Sequence, residues 1–268
     1  MSGSAGRPIG VFDSGIGGLT VVRELRRQLP AEDIVYFGDT ARVPYGPKSP
    51  ETVRRYSREI ANFLLTRDVK AIVVACNTAT AHALPMLEAE LPVPVVGVVG
   101  PGARAAVRTA ASGGIGVIGT AGTVRSGAYE RAIGAIAPHA NVTARACPLF
   151  VPFVEEGWTD HPATRLVAEE YLAPFRAAAV DTLVLGCTHY PLLKPVIADV
   201  VGPDISLIDS AHETAAETGV VLRARDLAAA GRSGVAHYVV SDAAEHFVRT
   251  ARHFLGAPLQ DVETLTLG

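Results

Sequence analysis

The chain alternates short apolar runs, rich in β-branched residues, with longer stretches whose apolar residues recur at helical spacing. The run at 9–12, for example, is followed by Leu19, Val22 and Leu25 on one side of a helix. Strands that alternate with helices form parallel sheets, because each helix returns the chain to the end where the next strand must begin. We therefore predict an α/β protein.

The same pattern locates the individual elements. We predict strands at 9–12, 34–37, 71–75, 95–98, 115–118, 142–146 and immediately before residue 187, with helices between them, including one at 103–111. We predict an irregular segment at 148–160, and the order strand, helix, strand, helix over 205–267.

The sequence also contains an internal repetition. Residues Gly10–Ser14 are similar to Gly116–Thr120, and each segment is followed at a similar interval by a cysteine that ends an apolar run. This repetition predicts two pseudo-symmetric parallel-sheet α/β domains, residues 1–98 with 207–268 and residues 99–206. Their active site would lie in the cleft between them.

Two cysteines occupy matched positions in this pattern. Cys76 and Cys187 each end a predicted strand, and small polar residues follow each one. The start of a helix lowers the pKa of a cysteine, so both thiols are expected to have a pKa shifted toward neutrality. A single cysteine is more often a small buried apolar residue. The matched contexts favour a pair of reactive thiols.

Two opposed thiols suit the inversion of a stereocentre. One, as thiolate, removes a proton from one face of a carbon, and the other returns a proton to the opposite face. Asp13 and His189 are candidates to assist, although Asp13 alone fits a helix cap and His189 alone fits an ordinary hydrogen-bonded histidine. Polar residues at helix starts would hold substrate carboxylates, although each alone also fits a simple cap; these are Ser14, Asn77, Thr78 and Thr188.

Composition limits the classes of partner. The formal net charge of −3 gives no overall basic surface for nucleic acid, although Arg54, Arg55 and Arg58 cluster on one predicted helix. Three cysteines are too few for a disulfide framework and fit a reducing compartment. Neither a signal peptide nor an apolar run of about 18 residues is visible, so we expect a cytoplasmic protein without a membrane span.

Four motifs together resemble the aspartate/glutamate racemase family, and within it the glutamate racemases. They are Asp13-Ser14-Gly15-x-Gly17-Gly18, Tyr45-Gly46, Ala75-Cys76-Asn77-Thr78 and Leu185-Gly186-Cys187-Thr188-His189-Tyr190-Pro191. The resemblance extends from about residue 8 to 255, with the motifs in the same order. It implies two α/β domains, with the end of the chain returning to the first. It also implies a homodimer and a cofactor-independent enzyme that supplies D-glutamate for peptidoglycan.

The resemblance also implies roles for individual residues. Cys76 and Cys187 would be the two acid/base residues, each acting on one enantiomer, with Asp13 and His189 supporting proton transfer. A glutamate near the second cysteine would be Glu155 or Glu156, of which we favour Glu155. The residues expected to line the substrate are Asp13, Ser14, Tyr45, Gly46, Asn77, Thr78, Thr188 and His189.

Other classes fit the residues less well. Gly114-x-Gly116-x-x-Gly119 matches a dinucleotide-binding pattern, but it lies within a predicted strand and no acidic residue follows about 20 positions on. A pyridoxal phosphate enzyme needs a distinctive lysine, and a soft-metal site needs closely spaced cysteines. We therefore expect neither a cofactor nor a metal. An aspartate racemase and a non-enzymatic amino-acid-binding module remain the alternatives to glutamate racemisation.

Overall fold

The computed structural model describes residues 4–111, 114–231, 233–259 and 261–267. The strands are β1 (Ile9–Asp13), β2 (Ile34–Gly38), β3 (Ala71–Val74), β4 (Val95–Gly97), β5 (Gly114–Gly119), β6 (Asn141–Ala146), β7 (Thr182–Gly186), β8 (Ser206–Asp209), β9 (Ala236–Val240) and β10 (Glu263–Thr264). The helices are α1 (Leu19–Gln28), α2 (Pro50–Thr66), α3 (Asn77–Glu90), α4 (Val99–Thr109), α5 (Ala121–Ser126), α6 (Ala128–Ile136), α7 (Phe150–Glu155), α8 (Pro162–Ala177), α9 (Lys194–Val201), α10 (Ser210–Ala224) and α11 (Ala244–Leu255).

The strands form two parallel sheets. The first has six strands in the order β10-β9-β2-β1-β3-β4, and the second has four in the order β6-β5-β7-β8. Every pair of neighbouring strands is parallel. The predicted α/β class is therefore confirmed.

The two sheets share one plan. The order β2-β1-β3-β4 in the first is repeated as β6-β5-β7-β8 in the second. The register agrees as well: the equivalent pairs are Phe12 with Val74 and Ile118 with Leu185. Cys76 lies two residues after Val74, and Cys187 lies two residues after Leu185. The backbone therefore carries both cysteines to equivalent strand ends, as the pseudo-symmetry predicted.

Three details differ from the sequence prediction. The helix predicted at 103–111 begins earlier, at Val99, because Pro101 stands in the first turn, where its missing N–H is not needed. The segment 148–160, predicted to be irregular, contains α7, a six-residue helix whose Phe150 and Val154 are buried on one face. The short strand β10 at the edge of the first sheet was not predicted.

The connection back to the first sheet also differs in position. The predicted boundary at residue 207 falls inside β8, and β8 pairs with β7 of the second sheet. Because α10 follows β8 directly, the chain leaves the second sheet only after Asp209. The division into domains 1–98 with 207–268 and 99–206 stays a prediction. Residue 207, its second boundary, lies within a strand of the second sheet.

The hydrophobic core is continuous between the sheets. One cluster of buried side chains includes Val11 and Val73 of the first sheet together with Ile118 and Leu185 of the second. Cys187 belongs to this cluster, whereas Cys76 belongs to a separate cluster on the other face of the first sheet. In the part of the chain that the structure describes, no helix has the length and apolar character needed to cross a membrane.

Candidate active site

Cys76 lies between the end of β3 and the start of α3. It is the N-cap residue of α3, and its Sγ accepts a hydrogen bond from the Ala79 N–H at 3.5 Å. Its thiol donates to Ser14 Oγ at 3.6 Å, so the turn after β1 contacts it directly. The side chain is buried, with 6% of its surface exposed.

The electrostatic surroundings of Cys76 correct one expectation. Burial, with a smaller contribution from the negative charge of Asp13, raises the pKa of its thiol to about 12. The Ala79 N–H and the Ser14 hydroxyl oppose this effect without cancelling it. The predicted lowering toward neutrality is wrong for Cys76, because the loss of hydration outweighs the helix start.

Asp13 ends β1 and is fully buried. Its Oδ2 accepts a hydrogen bond from the Gly15 N–H at 3.0 Å, whereas its Oδ1 has no hydrogen-bond partner among the described residues. Burial raises the pKa of this carboxyl, and the positive charge of His189 counteracts the rise. Asp13 is not the cap of α1, since the N-cap position of that helix is Gly18.

The second cysteine has a histidine and a glutamate beside it. Cys187 Sγ lies 3.9 Å from His189 Nδ1, and His189 Nε2 lies 2.9 Å from Glu155 Oε1. Burial lowers the pKa of His189, but the contacts with Cys187 and Glu155 outweigh burial and raise it to about 10. Glu155 rather than Glu156 therefore adjoins the site, and Glu156 is exposed to solvent.

The two cysteine segments meet across the sheets. Gly17, in the turn before α1, passes so close to the second half that a Cβ there would lie 2.2 Å from Thr188 Oγ1 and 2.5 Å from the His189 ring. Only glycine fits this approach. The Thr20 hydroxyl lies 2.9 Å from both the Gly17 and the Thr188 carbonyl oxygens, which share its proton. The charge of Cys187 is the smallest of the causes that raise the pKa of Cys76, so the two thiols lie within electrostatic range of each other.

Three threonine hydroxyls bridge the halves beside Cys76. Thr78 Oγ1 lies 2.8 Å from Thr120 Oγ1 and 3.3 Å from Thr123 Oγ1. Thr120 and Thr123 were not among the predicted site residues. The similarity of Gly10–Ser14 to Gly116–Thr120 was the available signal for Thr120, since it pairs that residue with Ser14.

The segment with Tyr45 and Gly46 lies against the same interface. Gly46 packs on α5, where a Cβ added at Gly122 would lie 2.6 Å from the Gly46 carbonyl oxygen. Tyr45 is buried and its hydroxyl donates to Asp39 Oδ2, while the Ser241 hydroxyl donates to Asp39 Oδ1. The Tyr45 hydroxyl is thus engaged within the protein, and Asp39 is a structural residue that the sequence prediction did not include.

Asn77 offers an unused donor in this region. Its side chain is buried, and its Oδ1 accepts a hydrogen bond from the Tyr129 hydroxyl at 2.8 Å. Its Nδ2 has no hydrogen-bond partner among the described residues. An unpaired buried donor at Asn77 and an unpaired buried acceptor at Asp13 are costly unless a ligand satisfies them. An amino acid carries both complementary groups, a carboxylate and an ammonium.

This fold and this pair of cysteine segments are those of an amino-acid racemase, an isomerase. The sequence model of the Asp/Glu/hydantoin racemase family matches residues 9–218, and the chain belongs to that family.

Particular relatives are similar over almost the whole chain. Glutamate racemase from Geobacter metallireducens is 56% identical over 262 residues, which are 97% of this chain and 97% of the relative. A crystal structure of a glutamate racemase isoform from Bacillus anthracis has a TM-score of 0.95 at 41% identity and covers 97% of this chain and 98% of its own. The structure of glutamate racemase from Francisella tularensis in complex with D-glutamate has a TM-score of 0.92 at 38% identity and covers 98% of each chain.

Proposed function

We propose that this enzyme interconverts L-glutamate and D-glutamate by transferring protons at Cys76 and Cys187, without a cofactor. The observation that carries the proposal is the equivalent placement of the two thiols after β3 and β7 of two sheets with the same strand order. Two proton-transfer groups related by a two-fold arrangement can address opposite faces of one carbon.

The chemistry balances with these two groups alone. The thiolate of one cysteine takes the Cα proton, and the electron pair of the C–H bond moves onto the substrate carboxyl group. The thiol of the other cysteine then gives its proton to the opposite face of Cα. After one turnover the two sulfurs have exchanged protonation states, and the reverse reaction uses them in the opposite order.

The neighbouring groups support the two thiols differently. Asp13 lies beside Cys76, where its carboxyl can accept or return the proton that the buried thiol must exchange. His189, whose pKa is about 10, remains charged near neutral pH and contacts Cys187 Sγ. Glu155 holds the imidazolium from its other side.

The substrate would be held by the polar groups where the halves meet. We assign the unpaired Asn77 Nδ2 to a carboxylate of the substrate and the unpaired Asp13 Oδ1 to its ammonium group. The remaining predicted contacts are Ser14, Tyr45, Gly46, Thr78, Thr188 and His189, to which Thr120 is added. The two thiols are themselves largely shielded from solvent, with only 6% of Cys76 and 5% of Cys187 exposed.

Glutamate is favoured over aspartate by the relatives. The similar proteins from Geobacter metallireducens and Francisella tularensis are named glutamate racemases, and the latter binds D-glutamate. We further propose a cytoplasmic homodimer whose D-glutamate is used in peptidoglycan synthesis, so that loss of the gene would be rescued by external D-glutamate. Size-exclusion chromatography with light scattering would measure the number of subunits.

Proton exchange in deuterated water tests the reaction. The purified enzyme, without added cofactor, is incubated with L- and D-glutamate and with L- and D-aspartate. Circular dichroism follows inversion, and mass spectrometry follows deuterium at Cα. We expect inversion of glutamate with one deuterium gained. Inversion of aspartate alone would change the substrate, and binding without exchange would support an amino-acid-binding module instead.

A further inference from the structure

Tyr129, on α6, touches both cysteine segments. It is buried, and its hydroxyl donates to Oδ1 of Asn77, the residue after Cys76. Its ring packs on Gly186, the residue before Cys187, where an added Cβ would lie 3.0 Å from Tyr129 Cε2. A single side chain from the second half therefore contacts the backbone or side chain next to each thiol.

The direction of this hydrogen bond determines which group of the Asn77 amide, the oxygen or the NH₂, remains without a partner. The Tyr129 hydroxyl donates to Asn77 Oδ1, and burial raises its pKa, so it keeps the proton that this bond requires. An amide facing a donor presents its oxygen, which leaves the NH₂ group on the other side. That NH₂ group is the buried donor without a partner among the described residues. If the amide rotated by half a turn, its oxygen would replace the donor and repel a carboxylate.

We propose that Tyr129 is a positioning residue for the racemisation, which holds the Asn77 amide with its NH₂ group available to a substrate carboxylate. This inference rests on the proposed function, because it requires an amino-acid substrate next to Asn77. It deepens that function by assigning the orientation of a substrate-binding group to a residue on the opposite half of the molecule.

Tyr129→Phe tests the inference because it keeps the ring and removes only the hydroxyl. We expect the KM for both enantiomers of glutamate to rise about tenfold, the effect of losing one well-oriented hydrogen bond, with a smaller change in kcat. The decisive comparison is the double-mutant cycle with Asn77→Ala. If Tyr129 acts through Asn77, Tyr129→Phe changes KM in the wild-type background and leaves it unchanged in the Asn77→Ala background.

Two further variants separate positioning from a general effect on folding. Tyr238→Phe removes the hydroxyl of another buried tyrosine, on β9, and we expect it to leave KM unchanged. Gly102→Ala keeps the Tyr129 side chain but adds a Cβ 3.3 Å from its hydroxyl, close enough to displace that hydroxyl slightly. Alanine also favours the helix α4. We expect Gly102→Ala to raise KM by about threefold, and this variant serves if Tyr129→Phe does not fold.

The outcomes distinguish this inference from the proposed function. A wild-type enzyme that racemises glutamate, with KM unchanged in both Tyr129→Phe and Gly102→Ala, would overturn the positioning role alone. Independent, additive effects of Tyr129→Phe and Asn77→Ala would overturn it as well. A wild-type enzyme that does not racemise glutamate would overturn both proposals together.

Discussion

The two halves of the molecule have the same strand order and place a cysteine at the same point, yet they surround it differently. Cys76 caps a long helix directly and has the carboxyl of Asp13 beside it. Cys187 is followed by a turn and a short 3₁₀ helix, and it has the His189 imidazole beside it. Gly119 stands where the first half has Asp13. The shared backbone plan therefore positions the two thiols, and unrelated side chains surround them.

The largest expected effect tests whether the thiols are a pair. Cys76→Ala and Cys187→Ala should each lower racemisation by roughly a thousandfold, because each removes one of the two proposed acid/base groups. Cys147→Ala, which removes the third cysteine, should keep the activity within about threefold, measured by circular dichroism. Substantial racemisation by either of the first two variants would show that the halves are not paired in function.

The next effect tests the carboxyl group of Asp13, which has no counterpart at the equivalent position of the second half. Asp13→Asn should lower the pKa of Cys76, because a negative charge beside the thiol is removed, and should lower racemisation by about a hundredfold. The pH dependence of Cys76 alkylation, followed by mass spectrometry, measures the pKa. Asp68→Asn, at an exposed position, is the control. An unchanged alkylation profile in Asp13→Asn would contradict the assignment.

A smaller effect tests the imidazole of the second half. Glu155→Gln should lower the pKa of His189 from about 10, since the negative charge at its Nε2 is lost. The raised pKa makes His189 stabilise the fold below about pH 6.5, and this contribution disappears as the pH rises through about 10. Glu155→Gln should therefore lose less stability across that range than the wild type does.

An NMR titration of His189 and urea unfolding across the same pH range measure these two changes. Glu156→Gln removes an equal charge from the neighbouring, exposed residue and should alter neither. Equal effects of the two substitutions would mean that Glu155 has no specific contact with the histidine.

The smallest expected effect concerns the hydrogen bond between Thr20 and the Thr188 carbonyl, one of several that join the halves. Thr20→Val should lower the free energy of unfolding by about 1 kcal/mol, because the Gly17 and Thr188 carbonyls lose the donor that they share. Thr52→Val, which removes an exposed hydroxyl on α2, should change it by less than about 0.5 kcal/mol. Identical urea midpoints for both variants would show that this bond does not hold the second cysteine segment in place.

Much of the site followed from the sequence because parallel strands end at a common edge. That rule brings Asp13, at the end of β1, close to Cys76, which follows β3 in the same sheet, and the internal repetition predicted that Cys187 follows the equivalent strand β7 of the second sheet. Tyr129 was not predicted because a tyrosine in a helix has no distinctive local pattern, and Thr120 was not predicted although the internal repetition pairs it with Ser14. The helix α7 was not predicted because it has only six residues, one of them a proline, and so short a segment does not show a helical periodicity.

The sequence by itself determined the α/β class, the internal repetition and the two strand ends that carry the thiols. These properties depend on local patterns of apolar and small residues, which a single chain displays. Only the tertiary structure decided that Glu155 contacts His189, that Tyr129 holds Asn77, and that the pKa of Cys76 is raised rather than lowered. The reason is that burial and hydrogen-bond partners come from residues far apart in the chain, and these long-range contacts outweigh the local effect of a helix start.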